Sequence, residues 1–72
     1  DILSEKEAYQ KILDGSFISD YMKYLPQDLI ISKVRLTYRK DTKGFMQPVY
    51  VFNCITKENE NLGPIYIPAI RG

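Results

Sequence analysis

The 72-residue chain contains no histidine, no tryptophan and a single cysteine, Cys54. The absence of histidine excludes a Ser-His-Asp triad, and one cysteine excludes an internal disulfide and most self-contained zinc sites. Lysine and arginine number 10 against 9 acidic residues, so the chain lacks the strong positive charge of nucleic-acid-binding proteins. We therefore expect no enzyme activity, no cofactor, no metal and no nucleic-acid partner. Cys54 is expected to be a buried, inert thiol.

The short length limits what the fold can bury. A chain of this size removes only about 60% of its unfolded surface from water, which allows one modest core. We therefore expect residues 1–72 to form a single small domain. Because the sequence starts at Asp1, we expect a fragment of a larger anchored protein. No apolar run of about 18 residues occurs, so any membrane contact is expected through an anchor outside this fragment.

The N-terminal residues carry the signals of a helix start and a helix stop. Ser4 and Glu7 have the spacing of a capping box, and Gly15 suits the left-handed position that follows a helix. The pattern predicts a helix from Glu5 to about Asp14. Its apolar side consists of Ala8, Tyr9, Ile12 and Leu13.

Residues 16–26 admit two interpretations. The apolar residues at positions 17, 18, 21, 22 and 25 fit a short second helix over 17–25. Alternatively, the segment is an ordered loop that packs its aromatic side chains on the core. Pro26 disfavours the helical conformation at Leu25, so any helix ends by that residue.

The rest of the chain predicts three β-strands joined by polar turns. The strands are expected at residues 29–39, 45–56 and 64–70. The polar stretches 40–44 and 58–63 suit the turns, and Pro64 and Pro68 indicate an edge position for the third strand. We predict an α+β fold in which the N-terminal helix packs on a three-stranded antiparallel sheet of order 1-2-3.

The period-two alternation predicts which side chains share a face of the sheet. If Arg39 pairs with Phe45, one face forms the core and the other is mixed. The core face then carries Ile30, Val34, Leu36, Tyr38, Tyr50, Phe52 and Cys54. On the opposite face, the aliphatic stems of lysine and arginine can lie over Val49 and Val51.

Two features indicate a surface for contact with a partner. The first strand carries a basic strip, and the third strand is apolar on both sides, which suggests that something covers the second face of the sheet. The candidate interaction surface consists of Lys33, Arg35, Arg39, Val49, Val51, Ile65 and Ile67.

Four motifs follow one another along the chain. They are Ile12-Leu13-Asp14-Gly15-Ser16-Phe17, Val34-x-Leu36-x-Tyr38, Gln47-Pro48-Val49-Tyr50-x-Phe52 and Ile65-x-Ile67-Pro68-Ala69-Ile70. This order resembles the small α+β domains of Gram-positive extracytoplasmic proteins typified by the YycI and YycH regulators of a two-component system. It is more distantly similar to PepSY-type domains.

The resemblance implies a non-catalytic regulatory module outside the membrane, in a lipoprotein or in a protein tethered by a spanning helix. Its partner would be a sensor kinase, a peptidase or the parent chain, and a homodimer would also cover the sheet. The family offers no catalytic or ligand-binding residue to carry over. The residues themselves leave a second hypothesis open, a small domain that binds a ligand or an anionic polymer with the Lys33 and Arg35 face.

Overall fold

The computed structural model describes residues 2–19 and 24–70. These residues form a helix, α1 (Glu5–Leu13), and three strands, β1 (Ile30–Lys40), β2 (Met46–Ile55) and β3 (Asn61–Pro68). The strands make an antiparallel sheet in the order β1-β2-β3, so β2 is central. The predicted α+β architecture and strand order are confirmed.

The capping residues of α1 set both of its ends. The Ser4 side chain accepts a hydrogen bond from the Glu7 N–H at 3.1 Å, and the Glu7 carboxylate accepts one from the Ser4 N–H at 2.9 Å. At the other end Gly15 has a φ of +83°, a left-handed conformation that glycine adopts without steric cost. The Ser16 N–H then donates to the Lys11 carbonyl at 2.9 Å, which closes the helix.

The hydrophobic core lies between α1 and one face of the sheet. It consists of Leu3, Ala8, Ile12, Tyr50, Phe52, Cys54, Ile65, Ile67 and Ala69. The helix contributes only Ala8 and Ile12, because Tyr9 and Leu13 are 45% and 54% exposed. Only half of the predicted apolar side of the helix is therefore buried.

The register between β1 and β2 differs from the predicted one by two residues. Arg39 lies opposite Gln47, not Phe45, because the five-residue loop spans 41–45 and not 40–44. Asp41 fixes this loop: its N–H donates to the Phe45 carbonyl at 2.8 Å. A shift of two preserves the alternation, so the predicted faces hold along most of β1.

A β-bulge exchanges the faces at the start of β1. The pairing shifts between Ile31 and Lys33, which makes Ser32 the extra residue. Ile31 consequently lies opposite Cys54 and packs against the core, whereas Ile30 is 42% exposed. The prediction that Ile30 lies on the core face is therefore wrong.

The segment after α1 runs along the outer edge of β3. Ile18 and Tyr66 exchange two backbone hydrogen bonds, of 3.1 Å and 2.9 Å. Pro64 and Pro68 flank Tyr66, and neither has an N–H to offer at this edge. Ile18 thus occupies the edge of β3 at Tyr66, which lies between the two prolines and has an N–H to donate.

Neither end of the segment 17–25 is helical. Residues 17–19 and 24–25 have no helical conformation, while residues 20–23 lie outside the described residues, and the predictions for Tyr21 and Met22 lie there with them. Phe17 and Leu25 pack against the core. For these two side chains, the loop interpretation is the correct one.

Candidate functional site

The three cations of the predicted interaction surface lie on the sheet face opposite α1, which we call the open face. Lys33, Arg35 and Arg39 are all exposed, and β1 presents them at alternate positions of one side. The Arg39 guanidinium lies 4.6 Å from the centre of the Tyr66 ring, in cation–π geometry. The sequence correctly placed these three side chains on one accessible face.

The two valines of the predicted surface lie on the open face but are covered by their neighbours. Val49 and Val51 are 8% and 2% exposed, yet neither belongs to the core beneath α1. Val51 is flanked across the sheet by Arg35 and Tyr66. These valines are buried beneath the neighbouring side chains of the open face and do not form its surface.

Ile65 and Ile67 do not belong to any surface. Both are fully buried and pack in the core with Phe52. Their side chains point to the α1 side of the sheet because β3 places its odd-numbered residues 65 and 67 there. The prediction that they help to form an interaction surface is therefore wrong.

A groove lies between α1 and β1 on the core side of the sheet. The backbone of α1 approaches the sheet mainly at β3, and the described residues cover this side of β1 only in part. The groove has a volume of about 490 Å³ and is lined by Glu5, Lys6, Tyr9, Leu29, Ile31, Val34 and Phe52. Farther along the same side of β1, Leu36 and Tyr38 are 41% and 57% exposed. We call the groove together with Leu36 and Tyr38 the β1 groove.

The outer edge of β1 borders the β1 groove. In an antiparallel sheet the N–H and C=O of one residue point to the same side of the strand, and those of the next residue point to the other side. The Pro48 carbonyl accepts a hydrogen bond from the Ala69 N–H, so the backbone of Pro48 faces β3. The backbone N–H and C=O groups of Val49 and Val51 consequently face β1. Thr37 and Arg35 lie opposite these two valines, so their backbone N–H and C=O groups face β2.

The intervening residues of β1 point outward. Val34, Leu36 and Tyr38 direct their backbone N–H and C=O away from β2, while their side chains lie on the groove side. Within residues 2–19 and 24–70, no strand or isolated bridge pairs with this edge. Outward-pointing backbone and apolar side chains thus belong to the same three residues, of which Leu36 and Tyr38 are exposed and Val34 is half-buried.

Sequence reasoning missed the β1 groove. Leu36 and Tyr38 were expected in the core, and Tyr9 on the buried side of the helix. Their alternation assigns them correctly to the core face, but it carries no information about how far α1 extends over the sheet. The exposure of these aromatic residues beside an edge strand can be seen only once the position of α1 on the sheet is known.

The chain's one thiol lies in the core. Cys54 is fully buried, as predicted, and burial raises the pKa of its thiol, which disfavours the reactive thiolate. No three acidic or cysteine side chains come close enough to hold a metal ion in the part of the chain that the structure describes. Nor does any helix among these residues have the length and hydropathy needed to cross a membrane.

Comparison of the chain with profiles of known protein families, with curated proteins and with solved structures finds no match.

Proposed function

We propose that this chain is a non-catalytic protein-interaction module that binds its partner at the β1 groove. The observation that carries the proposal is the exposure of Leu36 and Tyr38 on the groove side of β1, at a strand edge that no other described strand pairs with, next to a groove lined by the exposed Tyr9. Aromatic residues are enriched at protein contacts, and contiguous apolar surface beside free backbone is typical of binding sites. Binding would remove this surface from water.

The resemblance to YycI- and PepSY-type domains supports a regulatory setting for such a module. There the domain would act outside the membrane, anchored through a segment beyond this sequence. The partner would be a membrane sensor kinase, a peptidase or the parent chain itself.

A second function is favoured by a different observation, the row of three exposed cations on the open face. Lys33, Arg35 and Arg39 could hold an anionic ligand or polymer there, with no need for the β1 groove. The two functions use opposite faces of β1, so probes placed on one face or the other can distinguish them.

Site-specific photo-crosslinking in the cells of origin tests the proposal. A benzophenone amino acid replaces Tyr38 in the β1 groove, or Glu58 in the exposed β2–β3 turn as the matched control. We expect a discrete cross-linked protein from position 38 and none from position 58. Equal products at the two positions, or no product at 38, would overturn the proposal. In the latter case, saturable shifts of Lys33 and Arg35 with an anionic polymer would establish the second function.

A further inference from the structure

We infer that the outer edge of β1 binds an extended, acidic segment of the partner protein, which joins the sheet as an additional strand. This inference rests on the proposed function and specifies the conformation and the chemistry of what binds. It is carried by the backbone of β1, by the two faces of that strand and by its charge.

The backbone of β1 provides the pairing groups. Val34, Leu36 and Tyr38 direct their N–H and C=O outward over a stretch long enough for several ladder hydrogen bonds. Strand addition of this kind obtains its affinity from main-chain bonds and its specificity from alternate side chains. The other edge of the sheet is unsuited, because Ile18 already pairs with Tyr66 between two prolines.

The two faces of β1 determine the alternation of the bound segment. One set of its side chains would enter the β1 groove, where Val34, Leu36 and Tyr38 provide apolar contacts. The other set would lie on the open face beside Lys33 and Arg35. The segment should therefore alternate apolar residues with acidic ones.

The charge of β1 favours an acidic partner. The strand Ile30–Lys40 contains the cations Lys33, Arg35, Arg39 and Lys40 and no acidic residue. Cross-strand pairs of opposite charge stabilise a sheet, and like charges directly opposite destabilise it. Acidic side chains of an added strand on the open face would lie beside Lys33 and Arg35.

The same charge argues against a second copy of the chain at this edge. Antiparallel pairing of two β1 strands about Leu36 would place Lys33 of one copy directly opposite Arg39 of the other. Pairing about Thr37 would place Arg35 opposite Arg39. Both arrangements oppose like charges, so the basic edge disfavours self-association and favours an acidic partner.

The test uses a seven-residue acetylated peptide in which glutamate alternates with valine and leucine. It is titrated into the isotopically labelled chain, and backbone amide shifts are followed by NMR. We expect saturable shifts centred on Leu36 and Tyr38. A peptide with lysine in place of glutamate should not bind, since it repeats the charge of β1. Absence of saturable shifts with the glutamate peptide would overturn the inference.

N-methylation of the peptide distinguishes strand pairing from general hydrophobic contact. Alternate N–H groups of a paired strand point to β1, and the others point to solvent. Methylation of one alternate set should weaken binding about tenfold or more, whereas methylation of the other set should change it little. Equal effects of the two sets would contradict pairing with the edge.

The charge requirement is tested with Arg35→Gln and its matched control, Lys57→Gln. Both positions are exposed, so neither change should disturb the fold. Arg35→Gln should weaken peptide binding about threefold, and Lys57→Gln should leave it unchanged. Equal effects would overturn the charge argument. A partner cross-linked at position 38 whose contact segment is neither extended nor acidic would overturn this inference and leave the proposed function in place.

Discussion

The hydroxyl of Tyr50 donates a hydrogen bond to the main-chain carbonyl of Leu3 at 2.7 Å. This buried bond ties the residue before the Ser4 cap of α1 to the central strand. The Leu3 N–H also donates to the Ala69 carbonyl at 2.7 Å, beyond the end of β3. The start of α1 is therefore anchored at β2 and at the end of β3, away from β1.

Removal of this anchor should destabilise the fold. Tyr50→Phe leaves the Leu3 carbonyl without its partner, and we expect a loss of about 1–3 kcal/mol in the free energy of unfolding. Tyr38→Phe is the matched control, because Tyr38 is exposed, and it should cost less than about 0.5 kcal/mol. Urea denaturation measures both. Similar losses for the two variants would show that the Tyr50 hydroxyl does not anchor α1.

Alanine substitution of two residues on the same face of the sheet should reduce the free energy of unfolding by unequal amounts, because the β1 side of that face is more exposed. Ile67→Ala empties a fully buried position and should cost about 2–5 kcal/mol. Leu36→Ala should cost less than Ile67→Ala, about 1 kcal/mol, because Leu36 is 41% exposed. Chemical denaturation checks the difference. A large cost for Leu36→Ala would mean that α1 covers β1 after all.

Burial of Cys54 predicts slow reaction with thiol reagents. The side chain is inaccessible and burial raises the pKa of its thiol, so alkylation should require opening of the fold. We expect the labelling rate by iodoacetamide at neutral pH to rise with urea in parallel with unfolding. Rapid labelling in the absence of denaturant would contradict the buried position.

Asp41 should make the hairpin sensitive to acid. The backbone N–H of Phe45, with that of Lys43, holds the pKa of the Asp41 carboxyl below its ordinary value of 3.8. A lowered pKa in the folded state stabilises the fold above the unfolded value, and this contribution is lost as the pH falls through the folded pKa. Asp41→Asn should lack this part of the acid dependence. Identical acid denaturation profiles for the two proteins would contradict it.

The fold was predictable because its local signals agree with one another. The capping box at Ser4 and Glu7 and the glycine at position 15 define α1, and the alternation of 34, 36 and 38 defines the faces of β1. The register was not predictable to the residue, because a loop of unchanged length moves by one position when Asp41 organises it. The bulge at Ser32 likewise leaves no clear mark in the alternation.

The candidate site was predictable only in part. Lys33, Arg35 and Arg39 share a face because alternation alone determines it. The start of α1 is held by the long-range bond from Tyr50 to Leu3, and the edge of β3 is occupied through the pairing of Ile18 with Tyr66. Neither contact has a periodic or motif-like signature, so both emerge only from the packed chain.

Amide hydrogen exchange along β1 tests the central claim most directly. In the free chain, the outward N–H groups of Leu36 and Tyr38 should exchange quickly, while those of Arg35 and Thr37, which point to β2, should be protected. Addition of the alternating acidic peptide should slow exchange at Leu36 and Tyr38. Protection of these two amides in the free chain, or unchanged rates in the saturated complex, would contradict a partner strand at the edge of β1.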